Sequence, residues 1–365
     1  MASNSFGTIF KITTWGESHG KAIGVVIDGC PSGLSICDDD INKELALRQP
    51  GKSPYTSPRS ELDIAEILSG VFEGKTTGAP ISIIIRNKDA DSSKYEPIKD
   101  LLRPGHANFT YLEKYGIFDY RGGGRSSARE TACRVAAGAI AKKLLSFYKI
   151  EMTAYIKEIG GISSLEQDFS NIETLRQKTY QNPIFCPDEK ASEKMMQKLT
   201  EAKNEGDSLG GVIEFVALNV PVGLGDPVYE KLEANLGKAM LSIPATKGVE
   251  FGSGFAGATM KGSEHNDGFT LDTKGNVITE TNFAGGTLGG ISTGMPIVLR
   301  VAFKPTSSIM KPQSTLSTEK EEKTFVLPEG SRHDPCVTIR AVPIVEAMAA
   351  LVLIDAVLMN RCCKL

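Results

Sequence analysis

Short apolar or alternating runs recur along the chain and predict strands. Gly7–Thr14 and Ala22–Asp28 read as a hairpin pair around a Trp15–Gly20 turn. Ile64–Leu68, Val71–Phe72 and Ile81–Arg86 follow, punctuated by glycine-rich turns, and Val212–Val220 and Pro296–Phe303 read the same way. Helical patterns lie between them. Asp38–Leu47 begins on cap-competent aspartates, and Glu189–Asn204, Val228–Leu241 and Pro343–Met359 carry helical periods, the last with Pro343 suited to a first turn. Ser127-Ala128-Arg129-Glu130 has the spacing of a capping box, so the alanine-rich run behind it, to Tyr148, predicts a helix. The segments mix without strict strand–helix alternation, and no Pro/Ser-rich linker or repeat divides them. The pattern predicts one α+β domain over residues 1–365, with largely antiparallel sheets.

Composition narrows the function. A net charge of -3 supplies no domain-wide basic field, which argues against a nucleic-acid or membrane-surface partner. The most apolar stretch, Met348–Met359, is interrupted by Asp355 and is too short to span a bilayer, so it reads as a buried helix. The first residues show neither a basic n-region nor an apolar h-region. Seven scattered cysteines form no CxxC, which predicts reduced thiols, a cytoplasmic location and no metal site. Glu319–Lys323 reads as a solvated turn.

Chemistry concentrates in Arg103–Ala139. Five of the thirteen arginines (Arg103, Arg121, Arg125, Arg129, Arg134) fall there with a single lysine, Lys114, although lysine is the commoner cation in the whole chain. That bias predicts planar forks gripping carboxylate or phosphate on a small anion. His106 stands in the same window on a rigid Pro104-Gly105 turn, and His19 sits between glycines in Gly16-Glu17-Ser18-His19-Gly20. Either turn alone also reads as a histidine without a role. With Arg129 and Arg134 they read better as a paired acid/base near an anion. Gly122-Gly123-Gly124-Arg125-Ser126-Ser127 leads into the capped helix and predicts a phosphate or flavin-phosphate contact, though it lacks the GK[ST] ending of a Walker loop.

Gly252–Gly257 matches GxGxxG letter for letter, but a loop without helical period follows it, so no dinucleotide site is expected. His265, in that loop, reads as a local hydrogen-bonder. Gly285–Gly294 and Lys304-Pro305-Thr306-Ser307-Ser308 form a second zone rich in backbone donors and hydroxyls, suited to a polar cofactor. Arg332-His333-Asp334 joins cation, imidazole and carboxylate before the last helix; alone, such a triplet is usually an ion-pair network.

GESHG, the DGxPxG at Asp28–Gly33, ILSGVFEGKTTGAPI, RPGHA, RGGGRSSARET–RVAAGA, KPTSS and RHDPC–RAVP–EAM occur together and in order. In this the chain resembles the chorismate synthases from Phe6 to Asp355. The resemblance implies a sandwich of antiparallel sheets and helices, normally a homotetramer. It implies anti-1,4-elimination of phosphate from 5-enolpyruvylshikimate 3-phosphate, giving chorismate, with reduced FMN required and no net redox change. Ser18, Arg48, Arg129 and Arg134 would hold the substrate. His19 would maintain the protonation of the flavin, His106 would protonate the departing phosphate, and Asp334 would help move a proton off flavin N5. Arg125, Ser126, Ser127, Pro244, Ala245, Gly289, Lys304, Pro305, Thr306, Ser307, Ser308 and Arg332 would line the FMN. Both histidines would have to be imidazolium near neutral pH, with neighbouring anions holding their pKa up.

Three departures from the family pattern stand out: Asn108 where most members have aspartate, Pro54 where many bacterial members have arginine, and Pro244 where they have asparagine. Asn108 predicts a somewhat lower pKa at His106. Some members reduce their own flavin with NADPH; no separate nicotinamide-binding module is visible, so an external flavin reductase is expected. A flavin oxidoreductase and a catalytically silent anion-binding homologue are the two other classes, and retention of His19, His106, Arg129 and Asp334 together argues against the second.

Overall fold

The computed structural model describes the chain except residues 1–2, 50, 52, 57–61, 89–92, 329, 332–333 and 365, and the side chains of 93 and 94. Two five-stranded antiparallel sheets enclose the central helices. The first sheet runs Ser5–Phe6, Lys11–Gly16, Ala22–Asp28, Ile81–Arg86, Ala65–Ile67 in spatial order. The second runs Thr246–Phe251, Ile297–Phe303, Gly211–Leu218, Glu151–Ile159, Ile162–Ser163. Alternation explains the first: in Ile81–Arg86 the isoleucines at 81, 83 and 85 are fully buried, and Ile23↔Ile85 and Val25↔Ile83 fix its register with Ala22–Asp28.

Between the sheets lie Thr131–Ser146, packed on the first, and Thr338–Asn360, packed on the second. The two helices meet at Gly138, where an added Cβ would stand 2.4 Å from that of Ala347. Only a residue without a side chain permits that approach. Asp38–Arg48 and Leu232–Leu241 flank the pair.

Several sequence expectations need correction. The last helix begins at Thr338, not Pro343, and Pro343 lies inside it. With 23 residues the helix is long and apolar enough for a membrane span, yet 94% of its most apolar 18-residue window is buried inside the protein, as a core helix requires. The helix expected from Val228 starts at Leu232. Ser127 does cap its turn, accepting from the Arg129 N–H, but the Glu130 carboxylate accepts from Thr14 (2.7 Å) and Arg134 (2.8 Å) rather than closing a capping box. A 3-10 turn, Ala128–Glu130, therefore precedes the α-helix. The strand Glu151–Ile159 escaped the reading because six consecutive residues are buried, leaving no alternation to see. Glu322 and Lys323 enter a strand of the Gln313–Phe325 hairpin instead of a loop.

Two buried carboxylates fasten the ends of this arrangement. Asp355 accepts three backbone N–H groups, from Thr8 (2.7 Å), Ile9 (2.7 Å) and Phe10 (2.9 Å), clasping the first strands to the last helix. Glu346, fully buried, accepts from Lys142, Arg176 and the Ala154 N–H. Burial alone would raise its pKa, but Arg176 and Lys142 outweigh burial and hold the carboxyl at about 2, below its ordinary 4.5. A depressed carboxylate contributes stability that is fully present above pH 4.5 and lost as pH falls toward 2. The urea midpoint should therefore fall between pH 5 and pH 3, and fall less steeply in Glu346→Gln; equal slopes would remove Glu346 from the acid limb.

Candidate active site

The Trp15–Gly20 turn closes the hairpin between Lys11–Gly16 and Ala22–Asp28, as its glycines foretold. Ser18 hydrogen-bonds Nδ1 of His19 at 3.0 Å. Gly122 lies directly against this pair at φ +85°, and a Cβ there would stand 2.5 Å from the imidazole and 3.0 Å from the Ser18 hydroxyl. The triple-glycine loop is thus built to let the His19 ring in. Asn87, at the end of the Ile81–Arg86 strand, donates to the carbonyls of Glu17 (2.9 Å) and Gly20 (2.8 Å), while its own oxygen accepts from Arg129 Nε (2.8 Å).

His106 occupies the other half of the site. Asn108 closes its loop, donating to the Leu101 carbonyl (2.9 Å) and accepting from the Arg103 N–H (3.2 Å). An ionised aspartate could not make the first of these bonds, so an amide here suits this loop. Lys304 donates to the Gly105 carbonyl (2.9 Å) and Arg103 to Ser308 (3.2 Å), joining the turn to Lys304–Ser308. Ala245, left-handed at φ +71°, accepts from the Lys304 N–H at 2.9 Å and anchors that loop. Nδ1 of His106 and the Thr306 hydroxyl are buried with no hydrogen-bond partner. Buried polar atoms without partners are costly, and a polar ligand arriving there would satisfy them.

The expected electrostatics of His106 are reversed. Burial, with Arg103 and Lys304 close by, pushes its imidazole down from 6.5 to about 3. The charges around it are cations, which together with burial favour the neutral imidazole. The causes are burial, Arg103 and Lys304, and Asn108 is not among them.

Four of the five arginines in the window already have carboxylate partners within the protein. Arg125 donates to Thr14 and to the Gly16 carbonyl, Arg121 pairs with Asp119, and Arg134 with Glu130 and Ser242. Arg129 and Arg48 share the fully buried carboxylate of Asp63, and Arg48 also donates to Thr131 (2.9 Å) and the Ala128 carbonyl (2.7 Å). Arg48 is 1% exposed, and burial lowers its pKa to about 10 against the opposing pull of Asp63. Among the described residues, Arg103 is the one of the five with no carboxylate within salt-bridge distance. Burial lowers its pKa as well.

The remaining predicted positions fall into two further places. Asp334 accepts from Arg340 at 2.8 Å, and Pro244 lines a small cavity with Arg48, Thr131 and Arg340. Ser126 turns its hydroxyl to the Gly123 carbonyl (2.7 Å). Gly289 lies in the Thr287–Ser292 hairpin, where the adjoining Gly290 packs on Asp226 and Lys231. Pro54 gives its carbonyl to Lys203 (3.1 Å). Arg332 lies outside the described residues. The structure therefore brings Ser18, His19 and Arg125 together at one turn, and His106 with Lys304–Ser308 at another; Arg48, Arg129 and Asp334 form a deeper layer. Gly252–Gly257 runs into a 3-10 turn, as expected, and His265 hydrogen-bonds Ser253 (2.9 Å), although it ends a one-turn helix, Gly262–His265, rather than standing in a loop.

Asp63 and Asn87 were missing from the sequence reading, and neither carried a local signal. Arg103 was read as one of the five arginines of the window and as the cation of the His106 turn.

The chain is similar to known proteins over nearly its whole length. A family model described as chorismate synthase matches residues 10–358. A chorismate synthase of Protochlamydia amoebophila (strain UWE25) is 61% identical over 368 residues, covering 100% of each chain. One from Methanococcoides burtonii is 54% identical, covering 97% of this chain and 96% of that one. A crystal structure of a chorismate synthase superposes with a TM-score of 0.78 at 35% identity, covering 97% of this chain and 93% of the other.

Proposed function

This chain belongs to the chorismate synthase family, lyases of the shikimate pathway, and from that premise we propose how its residues act. The reaction is elimination of phosphate from 5-enolpyruvylshikimate 3-phosphate to give chorismate, with no net redox change. The observation that carries the residue assignment is the His106 turn, a buried imidazole with an unpartnered nitrogen between two cations. Arg103 and Lys304 receive the phosphate. Its negative charge lifts the His106 pKa toward neutrality, and the imidazolium gives its proton to the departing phosphate oxygen. Arg129, tied to the Ser18–His19 turn through Asn87, and Arg48, joined to it at Asp63, form the second positive layer, with Arg134 at its edge. His19, oriented by Ser18, and Asp334, oriented by Arg340, exchange the remaining protons.

Arg125–Ser127, Pro244, Ala245, Gly289, Lys304–Ser308 and Arg332 are the positions that would hold reduced FMN, which would supply electron density to the substrate. The unpartnered Thr306 hydroxyl and the Lys304 ammonium are donors of the kind that a flavin or its phosphate takes up. A homotetramer, a cytoplasmic location and an external flavin reductase complete the proposal, resting on the family resemblance.

Anaerobic phosphate release is the test, with FMN either chemically reduced or oxidised. Chorismate formed only with reduced FMN, and without net flavin oxidation, is the expected result. Stoichiometric flavin oxidation would make the protein an oxidoreductase. Absence of phosphate in both conditions, with FMN bound, would make it a silent homologue.

A further inference from the structure

The two histidine turns are far apart in sequence, and one side chain touches residues of both. Tyr95 stands in the 3-10 helix Ser93–Ile98. Its ring meets the His19 imidazole edge to face, with centroids 5.2 Å apart and planes at 85°. The guanidinium of Arg103 lies over the same phenol ring, 5.8 Å from its centroid. Arg103 in turn donates to Ser308. The 3-10 helix is itself anchored: Ile98 is buried with Phe325 and Leu327, and Tyr95 and Leu101 pack against this small core. Glu96 accepts from the Tyr120 hydroxyl at 2.6 Å, tying the helix to the loop before Gly122.

We propose that Tyr95 is a positioning residue that sets the His19 imidazole against the Arg103–His106 turn, so that the two proton-exchanging groups are held at a fixed separation across one site. Edge-to-face ring contacts and a cation over an aromatic face each have a preferred geometry, and a single ring making both relates the two turns to each other. The aromatic ring, rather than the phenol hydroxyl, is the working part. The proposal rests on the roles given above to His19 and His106.

Wild-type turnover with reduced FMN is measured first, since its absence would sink the assigned reaction and not the coupling. Tyr95→Phe should then keep kcat within about twofold, whereas Tyr95→Leu should lower it by about 10–100-fold with KM little changed, the expected cost of misplacing a reacting group. Independently of activity, the ring-proton resonances of His19, assigned with His19→Asn, should move in Tyr95→Leu as the ring current is lost. Tyr95→Met refills the apolar space should the leucine variant fail to fold. A kcat in the Leu or Met variant equal to wild type, unmoved His19 resonances, or a Phe variant as impaired as Leu would each overturn the proposal.

Discussion

His106→Asn should lower kcat for phosphate release by about 10²–10⁴-fold, the range for removing a general acid. It should also abolish a proton uptake that accompanies substrate binding. In the free protein the His106 pKa stands at about 3, because burial and the cations Arg103 and Lys304 disfavour a further positive charge. An arriving phosphate raises that pKa, and linkage requires binding to tighten as pH falls between the two values. Calorimetry at pH 6 in two buffers of different ionisation enthalpy, with oxidised FMN present so that no turnover occurs, counts the protons directly. Wild-type protein should take up a fraction of a proton per substrate that the variant does not. Equal uptake in both would place the proton on another group and remove His106 as the acid.

Asp63→Ala should cost about 3–5 kcal/mol of stability, because it takes a shared carboxylate away from two buried guanidiniums. Arg48 and Arg129 bear on Asp63 from opposite ends of the site layer, one from the last turn of Asp38–Arg48 and one from the 3-10 turn before Thr131–Ser146. Neither arginine can retreat to water: Arg48 is 1% exposed and Arg129 6%. Urea denaturation at pH 7 reads the loss as a lowered midpoint. Asp63→Asn, which keeps the shape without the charge, should recover only part of it. A midpoint unchanged in both variants would show that Thr131, Ala128 and Asn87 hold the two forks without the carboxylate.

Local features of the site were legible from sequence and its long-range assembly was not. Gly122 and the Trp15–Gly20 turn could be placed because glycine clusters announce backbone that must approach something closely. The strand Ile81–Arg86 could be placed because its alternation survives, while Glu151–Ile159, covered on both faces, offers none. The arginine window stood out in the sequence, but the partners of Arg129 come from elsewhere in the chain. Asp63 lies 66 residues before Arg129, and Asn87 lies 42 before it. No periodicity links such positions. The same limit hid the inverted environment of His106, since Lys304 reaches it from 199 residues beyond Gly105.

The clasp between Asp355 and the N–H groups of Thr8, Ile9 and Phe10 has a consequence in time. During synthesis at about 5–20 residues per second, the first sheet is made long before the helix that closes it. Until Asp355 is free of the ribosome those three amides lack their native acceptor, and the apolar faces of both sheets lack the helix Thr338–Asn360 that divides them. The nascent chain therefore spends tens of seconds with a hydrophobic interior it cannot yet close. Its dependence on holding chaperones should be set by this interval, and slowing elongation near the 3′ end of the message should lengthen it.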